Sequence, residues 1–174
     1  MKKRYRYCPI CATKFVIKRL YDEKQLVCPK CGYIFYQNAK PAVAGFIIKG
    51  DKILLVKRGV PPAVGSWDVP GGFAKEREHP EKAMLRELKE ELGMDATIKG
   101  FYGFYMDLYG GHNGPTSAVL NIYYLVSLPR SARLRPTDDI SDARWFSLSR
   151  LPKQISFRHI HQALRDWRRG EGYK

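Results

Sequence analysis

Two sets of residues in this 174-residue chain have the types and spacing to do chemistry. The first lies in "MLRELKEELGM", residues 84–94, which places Glu87, Glu90 and Glu91 within five positions. On a helix advancing about 100° per residue, Glu90 falls about 60° to one side of Glu87 and Glu91 about 40° to the other. Three carboxylates then share one face, while Leu85, Leu88 and Leu92 form a separate apolar stripe. Hard divalent cations take oxygen ligands of this kind, and Mg2+ commonly bridges carboxylates and substrate phosphates. The plainer alternative is a solvated face, neutralised by Lys82, Lys89 and an Arg86–Glu90 pair one turn apart. A glycine pair, Gly71-Gly72, leads into this segment and offers backbone groups beside the acids.

The second set is the four cysteines, Cys8, Cys11, Cys28 and Cys31, arranged as two C-x2-C turns with sixteen residues between them. This is the spacing of a zinc ribbon. Each turn aims two thiolates at one point, and two turns close a tetrahedral S4 site with no open position, so the Zn2+ is structural. Arg6, Lys14 and Lys30 favour the thiolate forms. Two disulfides are the alternative, disfavoured in a reducing compartment. A unit of this size has little core, so the metal would supply much of its folding energy.

The elements that must position these groups are legible in outline. "ATKFVIKRLYDEKQLV" reads as a hairpin with "YDEKQ" at its tip. "PAVAGFII" and "KILLVKR" are strand-like runs joined through "KGD", followed by the loop "PPAVGSWDVPGG". "HPEKAMLRELKEELG" is a helix with Pro80 in its first turn and Gly93 as its stop. Three further strands are expected in "ATIKGFYGFYMDLY", "SAVLNIYYLVSL" and "ARWFSL", and "RLPKQISFRHIHQALRDWRRG" reads as a closing helix. "YGGHNGP" (109–115) reads as a substrate-side loop with His112 as a turn residue. His159 and His161 are expected to serve local packing or charge. The order implies an α+β fold, a mixed sheet with helices on its faces.

Gly72, Glu78, Arg86-Glu87-Leu88, Glu90-Glu91 and Gly93-Met94 together resemble the Nudix box, G-x5-E-x7-R-E-U-x-E-E-x-G-U, at nine specified positions over 23 residues. "GSWDVPGGF" resembles the lead-in to that box, and "YCPIC…CPKCGYIFYQN" is similar to the zinc ribbon preceding it in NADH, ADP-ribose and FAD pyrophosphatases. The resemblance implies a zinc ribbon over residues 1–39 and a Nudix αβα sandwich with a mixed sheet over 40–174. It implies hydrolysis of the pyrophosphate bond in a small nucleotide substrate, a nucleoside diphosphate linked to another group. Glu87, Glu90 and Glu91 would hold Mg2+ or Mn2+, Arg86 would orient them, and Glu78 would brace the loop. The general base is left between Glu87 and a downstream acid, of which Asp138, Asp139 and Asp142 are candidates. The S-Q-P-W-P-F-P-x-S array of NADH pyrophosphatases is missing after the box, and Pro115 lies 21 residues past Met94, a poor match to the ADP-ribose class.

Phe46, Trp67 and Phe73, with Gly72 alongside, are expected on the substrate side. Tyr102, Phe104 and Tyr105 are further candidates for stacking a base, and core packing is the alternative for each. The net charge of +14 is carried by the ends: residues 1–40 hold ten Lys/Arg against two acids and residues 131–174 hold ten against five. Such ends attract anions or simply solubilise. The alternative function is a nucleic-acid-binding ribbon whose Nudix domain acts on RNA 5′ ends or is non-catalytic. That reading is disfavoured by the lack of an evident run of aromatics interleaved with Arg. No apolar run is long enough to span a bilayer and no signal peptide is legible, so a cytoplasmic protein without a membrane partner is expected. A homodimer fits the resemblance.

Overall fold

Runs such as "AVAGF" and "ILLV" lack polar alternation because the strands they form are covered on both faces. The computed structural model describes residues 5–110, 117–129, 133–137 and 139–171. The expectations for His112, Pro115 and most of the 109–115 loop, and for Asp138, lie outside the described residues. The chain divides into two compact units, Met1–Asn38 and Ala39–Lys174.

The first unit contains β1 (Val16–Leu20), β2 (Glu23–Val27) and β3 (Ile34–Phe35), in that sheet order. The hairpin tip is tighter than expected. Tyr21 and Asp22 alone form it, both at positive φ (50° and 63°), as a two-residue turn matched to strand twist requires. Cys8 and Cys28 are buried with Phe15. Sulfur–sulfur separations are 3.6 Å for Cys8–Cys31, 3.4 Å for Cys11–Cys28 and 3.6 Å for Cys11–Cys31. A tetrahedron of sulfurs about 2.3 Å from a central zinc has edges of about 3.8 Å, whereas a disulfide is about 2.05 Å long. The four thiols are free and fit a metal, not two crosslinks.

The second unit continues with β4 (Lys40–Phe46), β5 (Ile48–Lys49), β6 (Lys52–Arg58), β7 (Trp67–Asp68), β8 (Gly71–Phe73), α1 (Pro80–Leu92), β9 (Thr97–Tyr109), β10 (Ser117–Ser127), β11 (Ile140–Ser147) and α2 (Arg158–Arg169). One sheet runs β8-β4-β10-β9; the other runs β11-β6-β5, with β7 also on β6. The β4–β10 pair is parallel and the others antiparallel, so the first sheet is mixed and the second antiparallel. The expected "KGD" hairpin forms only between β5 and β6. β4 belongs to the other sheet, because the chain crosses between sheets at Ile47.

Strand periodicity then builds two cores. Val43, Leu54, Val56, Ile122 and Tyr124 point to the side where Met84, Leu88 and Leu92 of α1 are fully or nearly fully buried. Ala44, Phe46, Ile53, Leu55 and Tyr123 point to the opposite side, against Ile160, Ala163 and Leu164 of α2. Successive residues of one strand thus face different helices, which is the αβα arrangement. Each large apolar side chain buried this way contributes roughly 2 kcal/mol. α2 begins eight residues later than its sequence pattern indicates. Trp67 donates its N–H to Gln154 O at 2.8 Å and accepts from Ser156 N at 2.8 Å, and this pairing holds the preceding segment extended. Among the described residues, no helix is long and apolar enough to cross a membrane.

Purified protein is expected to carry one zinc per chain by elemental analysis. Cys8→Ser should lose it and abolish hydrogen-exchange protection across residues 8–35 while protection in β4, β6 and β10 persists.

Candidate active site

Helix α1 begins where its signals place it. The His79 ring accepts from Glu81 N at 3.3 Å, Pro80 occupies the first position, and Gly93 closes the helix at φ 68°. Its buried stripe turns the acidic side toward the β7–β8 loop. Glu87, Glu90 and Glu91 line one cavity of about 340 Å³, together with Gly71, Gly72 and Phe73. That volume falls at the lower end of small-ligand sites.

Arg86 organises the near end. Its guanidinium donates to Glu78 at 2.8 and 2.9 Å, to Glu87 at 2.7 Å, to Glu90 at 2.7 Å and to Phe73 O at 3.1 Å. Glu78 in turn accepts from Lys75 N at 2.8 Å. These bonds from Arg86, above all, hold the Glu78 carboxyl down at about 2. Loop and helix are therefore joined through one guanidinium.

One glycine is required by backbone contact, and a second sets the position of Glu87. A Cβ on Gly71, which sits at φ 147°, would lie 2.1 Å from Val43 O in the neighbouring strand. A Cβ on Gly72 would lie 2.5 Å from the Glu87 carboxylate carbon. Gly71 also donates its N–H to Glu91 at 2.9 Å. Burial pushes the Glu91 carboxyl well above the ordinary range, and the nearby Asp68 and Glu87 charges push the same way. Burial also raises Glu87, against the pull of Arg86. Carboxylate oxygens are the donor type that hard divalent cations take, and the absence of a side chain at Gly72 leaves room beside Glu87. Among the described residues the four cysteine sulfurs are the only set of three or more potential ligand atoms gathered within 4.8 Å; Glu87 and Glu90 turn instead to Arg86.

The far end was not anticipated. Arg58 donates to buried Asp68 at 3.0 Å, to Pro62 O at 2.7 Å and to Tyr109 Oη at 3.2 Å. Its guanidinium lies 5.8 Å from the Tyr109 ring centre and 5.2 Å from that of Phe157. Buried His159 also lines the cavity, with Nδ1 2.6 Å from Tyr123 Oη and its backbone N–H on Asp107 at 2.9 Å. Burial lowers its pKa to about 4, so the ring is neutral at physiological pH. The sequence signals were thin: an aspartate three residues before a glycine pair, and a histidine on the apolar face of α2.

Some expected residues are elsewhere. Phe46 is 1% exposed and stacks on Tyr102 at 5.0 Å inside the α2-side core, so it cannot meet a substrate. Trp67 packs edge-on against Phe146 at 4.6 Å, beneath Lys57 and Arg144, and does not line the cavity. Tyr102 and Tyr105 bond Ala163 O and Asp166 on α2 and are structural. Phe104 is exposed away from the cavity. Gly72 and Phe73 line the cavity as expected. Of the downstream acids described, Asp139 lines it and Asp142 does not, being paired with Arg144 at 2.7 Å. His161 is exposed.

Comparison with known proteins adds family evidence. The NUDIX domain profile matches residues 38–167. An ADP-ribose pyrophosphatase of Methanocaldococcus jannaschii is 34% identical over 137 residues, covering 79% of this chain and 78% of that protein. The NAD-capped RNA hydrolase NudC of Pseudomonas aeruginosa is 28% identical over 92% of this chain, which spans only 54% of NudC. A NUDIX hydrolase structure from Nitrosomonas europaea superimposes with a TM-score of 0.75 at 24% identity, covering 96% of this chain and 94% of the other.

Gly72→Ala should leave the fold intact but displace Glu87, weakening Mn2+ binding by at least about tenfold in calorimetry. The folded state binds the Glu91 proton more tightly than the unfolded chain does. Its stabilising effect is full below the unfolded value of about 4.3 and is lost as pH rises through the raised folded value. In thermal melts without metal, Glu91→Gln should therefore exceed wild type at about pH 8, with the gap closing as pH falls. Added Mg2+ should raise the Tm of wild type more than that of the variant.

Proposed function

The chain belongs to the NUDIX family, and from that premise we propose that it hydrolyses the pyrophosphate bond of a nucleoside diphosphate linked to another group, with ADP-ribose as the leading substrate. The observation that carries this reading is the joining of Glu87, Glu90 and the Gly72–Phe73 loop through Arg86 at the edge of one cavity. Glu87, Glu90 and Glu91 would hold Mg2+ or Mn2+. When bound, such an ion neutralises the diphosphate and activates water for attack on phosphorus.

The chain's own residues do the rest. Arg86 fixes the carboxylates against their mutual repulsion, and Glu78 fixes Arg86 and the loop. Lys75, on the cavity wall 3.8 Å from Glu90, adds positive charge near the phosphates. Phe73 and the Arg58–Tyr109–Phe157 group form the wall against which the nucleoside end would lie. Glu87 and Asp139 remain as acceptors for the proton of the attacking water, since both line the cavity. In-line attack breaks one P–O–P bond and leaves two phosphomonoesters. In the ribbon we assign Zn2+ to Cys8, Cys11, Cys28 and Cys31, with a structural role.

A second reading, action on the 5′ end of a nucleotide-capped RNA, has support from the likeness to NudC, which runs over 92% of this chain.

The deciding assay measures monophosphate release from ADP-ribose, NADH, FAD, nucleotide-sugars and NAD-capped RNA with Mg2+ or Mn2+. ADP-ribose is expected to give the highest kcat/KM. Glu90→Gln and Glu91→Gln should each lower kcat on the order of 100-fold or more while retaining the fold. Undiminished turnover by both variants would remove the metal-site assignment.

A further inference from the structure

The ribbon exposes what a small folded unit normally hides. Eight of the fourteen exposed large hydrophobic side chains among the described residues lie in residues 5–36, about a fifth of the chain. Patches of this density mark an interaction surface.

The strand register places one of them, Ile17, on a face with apolar side chains of the other two strands. Cross-strand partners share a face, so Ile17, Leu26 and Phe35 lie side by side across the three strands. Two residues further along the same face, Arg19 pairs with Lys24. Behind Phe35 the rings are contiguous: Tyr5 lies 4.3 Å from it, Phe15 lies 6.2 Å from it, and Tyr33 lies 6.4 Å from Phe15. The outer rings, Tyr5 and Tyr33, are each 37% exposed and Ile17 is 47% exposed. Among the described residues Arg19 makes an exposed ion pair with Asp22 at 3.7 Å, too solvated to hold it. The result is a ribbon face with cations one row from its apolar side chains, and half-exposed rings joined to that face through Phe35 and Phe15.

We propose that this face of the ribbon binds single-stranded nucleic acid, its bases stacking on Tyr5 and Tyr33 and its phosphates meeting Arg19 and Lys24. Unstacked bases accept aromatic partners without sequence preference, and the backbone follows the cations. Charge argues against a second copy of the chain as the occupant. Residues 1–38 carry nine Lys/Arg against two acids, a net of +7, and residues 39–174 carry the other +7 of the total. A polyanion complements this face; another ribbon or another whole chain repels it.

The test uses the full zinc-loaded protein and fluorescence anisotropy with a 12-mer bearing a 5′-hydroxyl, without divalent metal. That probe has no diphosphate, so its binding is independent of the hydrolytic reading. Single-stranded RNA and DNA should both bind, and a duplex of equal length should bind at least about tenfold more weakly. Tyr5→Ala and Tyr33→Ala should each weaken binding about tenfold with the salt dependence unchanged, while Tyr5→Phe and Tyr33→Phe retain it. Arg19→Gln and Lys24→Gln should each reduce the slope of log affinity against log salt by about 0.7. Lys18→Gln, on the opposite face, should do neither. Zinc content is measured for every variant, so loss of the ribbon fold is recognised. Equal binding of duplex and single strand, an equal effect of Lys18→Gln, absence of binding, or a change in sedimentation with the face variants but not in RNA affinity would each overturn the proposal.

Discussion

Three carboxylates on one face of α1 repel one another, and the guanidinium of Arg86 is what makes their arrangement tenable. It contacts Glu78, Glu87 and Glu90 at 2.7–2.9 Å and reaches the loop through Phe73 O. Charge-assisted bonds of this length are the stronger class of hydrogen bond. Because Glu78 is tied back to Lys75 N, the same guanidinium sets the position of the β8 loop against the helix. Glu91 is the exception: it is too buried for Arg86 and takes the Gly71 N–H instead.

That arrangement exists only because the opposite side of α1 is committed to the core. Met84, Leu88 and Leu92 are fully buried, which fixes the rotation of the helix and hence the direction of its acids. Gly71 and Gly72 then allow strand and helix to approach to contact, since any side chain at either position would strike Val43 O or Glu87. On the far wall, Arg58, Asp68 and Tyr109 form a second charge cluster brought together from β6, β7 and β9. Like Glu91, Asp68 is buried and raised in pKa by burial, with Arg58 as its counter-charge.

The helix, its Gly93 stop and most of its two faces were legible because they follow from residues three and four apart, although Leu85, expected in the apolar stripe, is exposed and Met84 is buried instead. The cysteine pairs were legible for the same reason: a C-x2-C turn is a local geometry. Phe46 and Trp67 were misplaced because an aromatic in a strand looks alike whether its face meets a ligand or a helix. The "KGD" hairpin was half right, since turn chemistry does not say which sheet the first strand joins. His159 was read as packing, and it does pack, but the same burial presents it to the cavity beside Asp107 and Tyr123.

By itself the sequence determined the groups of the candidate sites: four thiols at knuckle spacing, three carboxylates and an arginine at helical spacing, and two glycines ahead of them. These depend on covalent connectivity and the pitch of a helix, which are the same in any fold. Only the tertiary structure decided which groups face each other across distance. Arg58 meets Tyr109 over 51 residues, and His159 meets Tyr123 over 36. Strand register also set Arg19 and Lys24 of the ribbon on one face with Ile17, Leu26 and Phe35. Such pairings are selected by the burial of both cores at once, a property of the whole packed chain that no local window contains.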